Sequence, residues 1–372
     1  MLRTKFRHKV EEALSFADVQ LNGSRPWDLQ VYNDKLYNRV LSKGSLGLGE
    51  AYMEGWWDSP ALDQFFFRVL RSQVDNKFKP VQELTCSLRA RLQNLQSRRR
   101  AFEVALRHYD IGNDLYEKML DKRMIYSCAY WRESDNLDEA QEAKLDLVCR
   151  KLHIEPGMRV LDIGCGWGGT ARYLAEKYDA RVVGLTVSKE QAEHGRRICS
   201  KLPVEIRLQD YRCLEDTFDR VLSIGMFEHV GYKNYQTFMK CVRRNLKDDG
   251  LFLLHTIGGS QSTTRTDPWI DRYIFPNSML PSKKQICQAA EGIFTLEDWH
   301  NFGPDYDPTL VAWHDNFSTS WPDLDARYDE CFYRMWKYYL LSCAASFRAR
   351  KNHVWQIVFS PNGVLGGYQC CR

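Results

Sequence analysis

The chain holds 372 residues with a formal net charge of +4 at pH 7; 44% of them are hydrophobic and 27% charged. That length predicts two domains rather than one, and no run approaches the ~20 apolar residues of a membrane-spanning helix. The twelve cysteines are scattered singly apart from Cys370 and Cys371 and form no CxxC pair, which argues against a disulfide framework or zinc site and for reduced thiols in a cytoplasm.

At the start, MLRTKFRHKVEE is basic but is followed by no apolar stretch with a cleavage site, so no secretory signal is expected. Helical spacing recurs in VEEALSFADVQ and in ALDQFFFRVLRSQV, where Leu62, Phe65, Phe66, Val69 and Leu70 share a face. Residues 1–74 therefore read as a small, mainly helical domain. Within it, GSLGLGEAYMEGWWD (44–58) is either a tight turn with buried tryptophans or an apolar surface that meets lipid. Residues 75–100 read as a basic helical linker. Between Arg71 and Arg107 nine basic side chains stand against three acidic ones, a net +6 that leaves −2 for the rest of the chain. Such a run is a solvated helix face, or a contact for an anionic membrane surface or nucleic acid.

Residues 101–372 form the expected catalytic domain. From about residue 150 helical segments alternate with short apolar strands: MRVLDIG, ARVVGLT, VEIRLQ, FDRVLSIG and GLFLLHTI. Strands separated by helix-length intervals predict an α/β fold, a mostly parallel sheet with helices on both faces. A long helical stretch over about residues 326–349 precedes HVWQIVFS, which suits an antiparallel edge.

VLDIGCGWGG (160–169) sets Gly164, Gly166, Gly168 and Gly169 between a strand and a helix. Glycines there allow a sharp turn and close approach of a ligand to the backbone. The spacing also satisfies GxGxxG, so a dinucleotide has to be weighed against S-adenosylmethionine. Two details favour the methyl donor. Asp162 stands two residues before the first glycine, where a carboxylate can pair with an ammonium group. The second strand ends in Gly184–Leu185–Thr186 without the acid that grips the ribose of NAD; Thr186 and Gln191 offer neutral hydrogen-bonding groups instead. After the third strand, Gln209, Asp210 and Tyr211 supply a carboxylate and an aromatic wall for an adenine. Tyr126, Ser127 and Val187 complete the candidate cofactor set with Asp162, Gly164 and Gly166.

YSCAYW (126–131), GCGWGG, GMFEHVG (225–231), HTIG (255–258) and YIFPNSMLPS (273–282) closely resemble the cyclopropane-fatty-acyl-phospholipid synthases. The resemblance continues through DWHNFGPDYDPTL and FRARKNHVWQIVFS and takes in the front segment 44–58, so it spans nearly the whole chain. Mycolic-acid cyclopropane synthases share the catalytic motifs but generally lack the front module. The resemblance implies a Rossmann-like S-adenosylmethionine-dependent methyltransferase fold with a seven-stranded sheet. It also implies transfer of a methylene across a cis double bond of acyl chains already in phospholipid. The alkene takes the activated methyl, and the carbocation left behind closes to a ring on losing a proton.

A cation in an apolar tunnel needs electron-rich walls, each worth ~0.5–2 kcal/mol. Tyr126, Tyr130, Phe227, Trp269, Tyr273, Phe275 and Tyr306 are candidates, with ordinary core packing as the alternative for each. For the base, the resemblance implies a bound bicarbonate held by Cys128, Glu228, His255, Tyr306 and the backbone of Ile257. It further implies a peripheral enzyme on the inner face of the cell membrane, an amino-terminal domain and basic stretch that engage lipid, a homodimer, and no nucleic-acid partner. Three other readings stay open: a lipid methyltransferase giving a methyl-branched chain, a small-molecule or nucleic-acid methyltransferase, and a lipid-binding protein without catalysis.

Overall fold

The computed structural model describes residues 2–74 and 112–372. The expected linker 75–100, and every charge of the basic stretch except Arg71, lie outside the described residues. Two compact units emerge, and they do not follow chain order. Residues 264–276 and 306–352 join the amino-terminal segment in one unit; residues 277–305 and 353–372 join the segment ending at Thr263 in the other.

The first unit is helical, as its sequence spacing predicts. Its amino-terminal helices are Leu2–Ser15, Lys35–Met53 and Leu62–Arg71, with a two-residue ladder of β1 (Gln30–Val31) against β2 (Trp57–Asp58). Later chain segments add helices Pro268–Tyr273, Tyr306–Leu324 and Glu330–Arg348. Helix Glu330–Arg348 packs against Leu62–Arg71, Lys35–Met53 and Tyr306–Leu324, and so ties early chain to late. The contact is aromatic. Trp57 is fully buried with its ring centroid 5.2 Å from Phe65 and 6.5 Å from Tyr338, while Phe66 meets Tyr338 edge-on at 5.0 Å. Arg334 lies over the Tyr52 ring at 4.0 Å and donates to Asp58 and to the Tyr52 and Trp57 carbonyls.

The Gly- and Trp-rich segment proves to be mostly helix. Lys35–Met53 runs through it with a kink at Gly44, whose φ is 59°. Gly49 lies beneath the Trp269 indole: a Cβ there would come within 2.3 Å of the ring. Trp57 is buried and Gly49 packs beneath Trp269, whereas Trp56 is half-buried and Gly55 faces open space; the segment is a kinked helix rather than the tight turn of the first reading.

The second unit contains the expected sheet. Its seven strands are β3 (Arg159–Ile163), β4 (Arg181–Thr186), β5 (Val204–Leu208), β6 (Phe218–Ile224), β7 (Leu246–Gly259), β8 (Thr295–Asn301) and β9 (Asn352–Ser360), in the spatial order β5-β4-β3-β6-β7-β9-β8. The pairs β5–β4, β4–β3, β3–β6 and β6–β7 are parallel, and β8–β9 is antiparallel. HVWQIVFS is therefore not the edge. β9 sits one strand in, covered by β8, whose sequence TLEDWHN is too polar to read as a strand. An edge strand facing water needs little apolar content, which is the physical reason it escapes a hydrophobic pattern.

Successive side chains on a strand point to opposite faces, and the core divides accordingly. Leu161, Ile163, Val183, Leu185, Phe252 and Leu254 pack with Phe238, Met239 and Val242 of helix Tyr235–Asn245. Val160, Val182, Leu251 and Leu253 pack on the other face, with Leu145 and Val148 of helix Leu137–Lys151 and Leu174 of helix Gly169–Tyr178. Burial on both faces explains why RVLDI and GLFLLHTI read as unbroken apolar runs.

Candidate active site

The polar groups of the second unit gather at the carboxyl ends of its parallel strands, where open α/β sheets bind ligands. β3 ends in the glycine loop. Gly164 has φ +86°, and a Cβ there would strike the Met226 side chain at 2.7 Å, so only glycine fits the turn. Gly164 and Cys165 donate their N–H groups to the Leu185 carbonyl at 2.9 Å, which pins the loop against β4. Gly168, left-handed at φ +88°, leads into helix Gly169–Tyr178.

Asp162 is buried, and neither carboxylate oxygen has a hydrogen-bond partner among the described residues. Burial raises its pKa to about 7, with only Lys144 acting against it. A charged carboxylate so placed calls for an external cation or N–H donor. An amino-acid ammonium group supplies both, so the residues present fit S-adenosylmethionine.

At the end of β4, Thr186 donates to Gln191 Oε1 at 2.8 Å and accepts from the Ser188 N–H at 3.2 Å. Ser188 in turn caps helix Lys189–Ile198 by accepting the Gln191 N–H. Val187 is half-buried beside them. The Gln209 N–H donates to the Thr186 carbonyl at 3.0 Å, so the ends of β4 and β5 are joined. Asp210 accepts from Arg212 Nε at 2.8 Å and Nη2 at 2.7 Å. Its carboxylate thus already has a cation in this structure, whereas the sequence suggested an adenine contact. Tyr211 packs edge-on to Phe238 with centroids 5.3 Å apart.

The segment 126–128 is held from below by a helix that sequence reading did not connect with it. Gln141 Nε2 donates to the Ser127 carbonyl at 2.9 Å, and Lys144 Nζ donates to Ser127 Oγ at 2.8 Å. Lys144 is completely buried, and burial lowers its pKa to about 8 while Asp121, Cys128 and Asp162 pull the other way. One ammonium group therefore stands within electrostatic reach of Asp162, Cys128 and His255. The signal was present: Leu137, Ala140, Gln141, Lys144, Leu145, Val148 and Lys151 form one buried stripe at helical spacing. Tyr126, half-buried, meets Tyr116 edge-on at 5.3 Å, and Tyr116 also contacts Trp167 of the glycine loop. Cys128 is fully buried with Sγ 3.2 Å from the Ala129 carbonyl.

A family model for mycolic acid cyclopropane synthetase matches residues 96–357. The chain belongs to the cyclopropane synthetase family. It is 54% identical over 364 residues to the cyclopropane-fatty-acyl-phospholipid synthase of Escherichia coli K12, covering 98% of this chain and 95% of that one. Cyclopropane mycolic acid synthase 1 of Mycobacterium tuberculosis is 37% identical over 261 residues, 65% of this chain and 91% of that protein. A crystal structure of a mycolic acid cyclopropane synthase complexed with SAH and CTAB aligns with a TM-score of 0.65 at 36% identity, covering 69% of this chain and 97% of that one. The mostly parallel seven-stranded sheet is that of S-adenosylmethionine-dependent methyltransferases, as the sequence implied.

In this cyclopropane synthetase chain Glu228 follows β6 in a short 3-10 turn, and His255 and Ile257 lie on β7. Glu228 Oε1 accepts the Ile257 N–H at 2.6 Å; Oε2 is buried, with no close hydrogen-bond partner among the described residues. Burial raises the Glu228 pKa to about 7 against the Ile257 hydrogen bond. Buried His255 has its pKa pushed well below the usual value by burial and by Lys144, Lys151 and His300, so its ring is neutral. The Ile257 N–H is thus committed to Glu228 here. Tyr306 belongs to the other unit, where it starts helix Tyr306–Leu324 and packs on Phe347 at 4.6 Å and Trp313 at 5.8 Å. Of the expected aromatic walls, Phe227 is a core residue stacked on Tyr235 at 4.1 Å, and Trp269 is the lid over Gly49. Tyr130 meets Phe302 and His300 edge-on.

Proposed function

We propose that the chain is a cyclopropane-fatty-acyl-phospholipid synthase acting on unsaturated acyl chains at a membrane surface. The observation that carries this reading is the state of Glu228: a buried carboxylate with one oxygen fixed by a backbone N–H and the other without a close hydrogen-bond partner among the described residues. Likeness to the E. coli phospholipid enzyme over 98% of the chain, front unit included, supports a phospholipid substrate over a mycolic acid. Among the described residues no helix is long and apolar enough to cross a membrane, so the lipid is reached from a peripheral position.

S-adenosylmethionine, when bound, supplies an electrophilic methyl group. Asp162 receives the donor's ammonium end, and the turn at Gly164 and Gly166 lets its backbone approach. The alkene of the acyl chain would take the methyl carbon as S-adenosylhomocysteine departs, and the new methyl would then lose a proton to the bound base as the ring closes. A carboxylate in contact with the carbocation on the acyl chain would trap it as an ester. In the proposed site Glu228 and His255 instead hold a small base, bicarbonate, with Cys128: Glu228 accepts from its hydroxyl and His255 donates to its oxygens.

The test uses 13C-methyl S-adenosylmethionine and vesicles of unsaturated phospholipid, with NMR of the extracted lipid. Cyclopropane ring protons are expected; a methyl-branched or methyl-alkene product would replace this reading with plain lipid methylation. Glu228→Gln should lower turnover at least ~10-fold while S-adenosylmethionine still binds, and near-wild-type turnover in bicarbonate-depleted buffer would remove bicarbonate from the mechanism.

A further inference from the structure

A second buried lysine lies seven residues after Lys144 on the same helix stripe. Lys151 has no exposed surface, and its Nζ is 2.8 Å from Gln356 Oε1 on β9, 2.9 Å from His300 Nδ1 on β8 and 3.9 Å from Asp298 Oδ2. Asp298 is itself gripped by Arg372 through two contacts of 2.6 and 2.7 Å. On its other side the fully buried Gln356 places Nε2 3.4 Å from His255 Nδ1.

With Lys151 protonated, the polarity of this chain of groups admits one arrangement. Burial lowers the Lys151 pKa to about 7 while Asp298 acts to keep the proton, so below neutral pH the group is an ammonium that can only donate, and the Gln356 carbonyl oxygen must face it. That turns the amide NH2, also only a donor, toward His255. An N–H on Nδ1 would set two donors against each other in a buried space, leaving both unsatisfied. We infer that Lys151, acting through Gln356, fixes His255 in the tautomer that carries its proton on Nε2. Nδ1 then accepts from the protein interior, and the Nε2–H is the group left to donate outward. Lys151 and Gln356 are positioning residues, one and two steps removed from the site. The inference rests on the proposed role of His255 only for its catalytic consequence; the tautomer itself follows from the hydrogen-bond polarity.

The test is 15N NMR of full-length, histidine-labelled protein, with the His255 signals among nine histidines assigned by their loss in His255→Asn. Wild type should show protonated Nε2 and acceptor Nδ1; a protonated Nδ1 overturns the inference outright. Gln356→Glu keeps an acceptor for Lys151 but offers His255 a second acceptor, so the proton should move to Nδ1, and turnover should fall at least ~10-fold with S-adenosylmethionine affinity unchanged. Lys151→Met frees the amide to rotate and should give both tautomers. A Gln356→Glu protein that keeps the Nε2 proton overturns the inference. A swapped tautomer with unchanged turnover upholds it and removes His255 from the proposed chemistry.

Discussion

Two pairs of buried carboxylates, one in each unit, are treated in opposite ways. In the helical unit Asp28 accepts from the Gln20 and Arg25 N–H groups and from the Arg25 guanidinium, on both oxygens. Glu50 is met by Arg39 and Lys43 on one oxygen and by Arg272 and Tyr273 on the other. Burial alone would raise both, yet these partners hold both below the usual carboxylate range. In the sheet unit, among the described residues, neither oxygen of Asp162 nor Oε2 of Glu228 has a close hydrogen-bond partner; burial raises both to about 7. A chain able to satisfy Asp28 so fully has the means to satisfy Asp162. Leaving two acids short at the ends of β3 and β6 costs stability, and that cost is recovered when a ligand arrives.

The comparison can be broken at either end. The largest expected effect is at Asp162→Asn, where affinity and stability should move in opposite directions. S-adenosylmethionine affinity should fall roughly 10- to 100-fold, the value of a charge-assisted hydrogen bond. Ligand-free stability should rise. The folded-state pKa of Asp162 lies above its unfolded value, so the wild-type acid loses stability as pH climbs from about 4 to about 7 and loses no more beyond. The advantage of the variant should therefore grow from pH 5 to pH 7, by at most about 1.4 kcal/mol per pH unit, and then level off. Calorimetry across that range checks it; a constant or shrinking advantage would mean the acid is satisfied.

Asp28→Asn should do the reverse, costing about 3 kcal/mol, the low end for breaking a buried pair because Arg25 keeps some exposure. Cofactor affinity measured by calorimetric titration should not change. A weakened cofactor site in that variant would erase the distinction between the two units. Smallest is Gly49→Ala, which drives a methyl into the Trp269 ring and should cost about 1–3 kcal/mol in thermal unfolding, again with cofactor affinity intact.

Much of this was legible in the sequence, for reasons that differ by element. The sheet was readable because its central strands carry consecutive buried apolar residues, as in Val160–Leu161 and Leu251–Leu254, and the glycine loop because a sharp turn admits no other residue. Asp162 and Glu228 were readable as carboxylates beside strand ends, although their missing partners were not. Lys144 and Lys151 escaped notice because a lysine on a helix is ordinarily solvated; only their place on the apolar stripe with Leu137, Leu145 and Val148 marked them. β8 was hidden by its polarity. The make-up of the helical unit was hidden for another reason: local periodicity identifies a helix but not its partner roughly 260 residues away, as with Leu62–Arg71 and Glu330–Arg348.

That last pairing has a consequence for synthesis. Chains are made from the amino terminus, and roughly 260 residues separate the end of helix Leu62–Arg71 from the start of helix Glu330–Arg348. At ~5–20 residues per second the early helices wait about 13–50 s for the helix that closes their core. Throughout that interval Trp57, Phe65 and Phe66 have no Tyr338 to pack on, and a product arrested before residue 330 carries that open aromatic surface permanently.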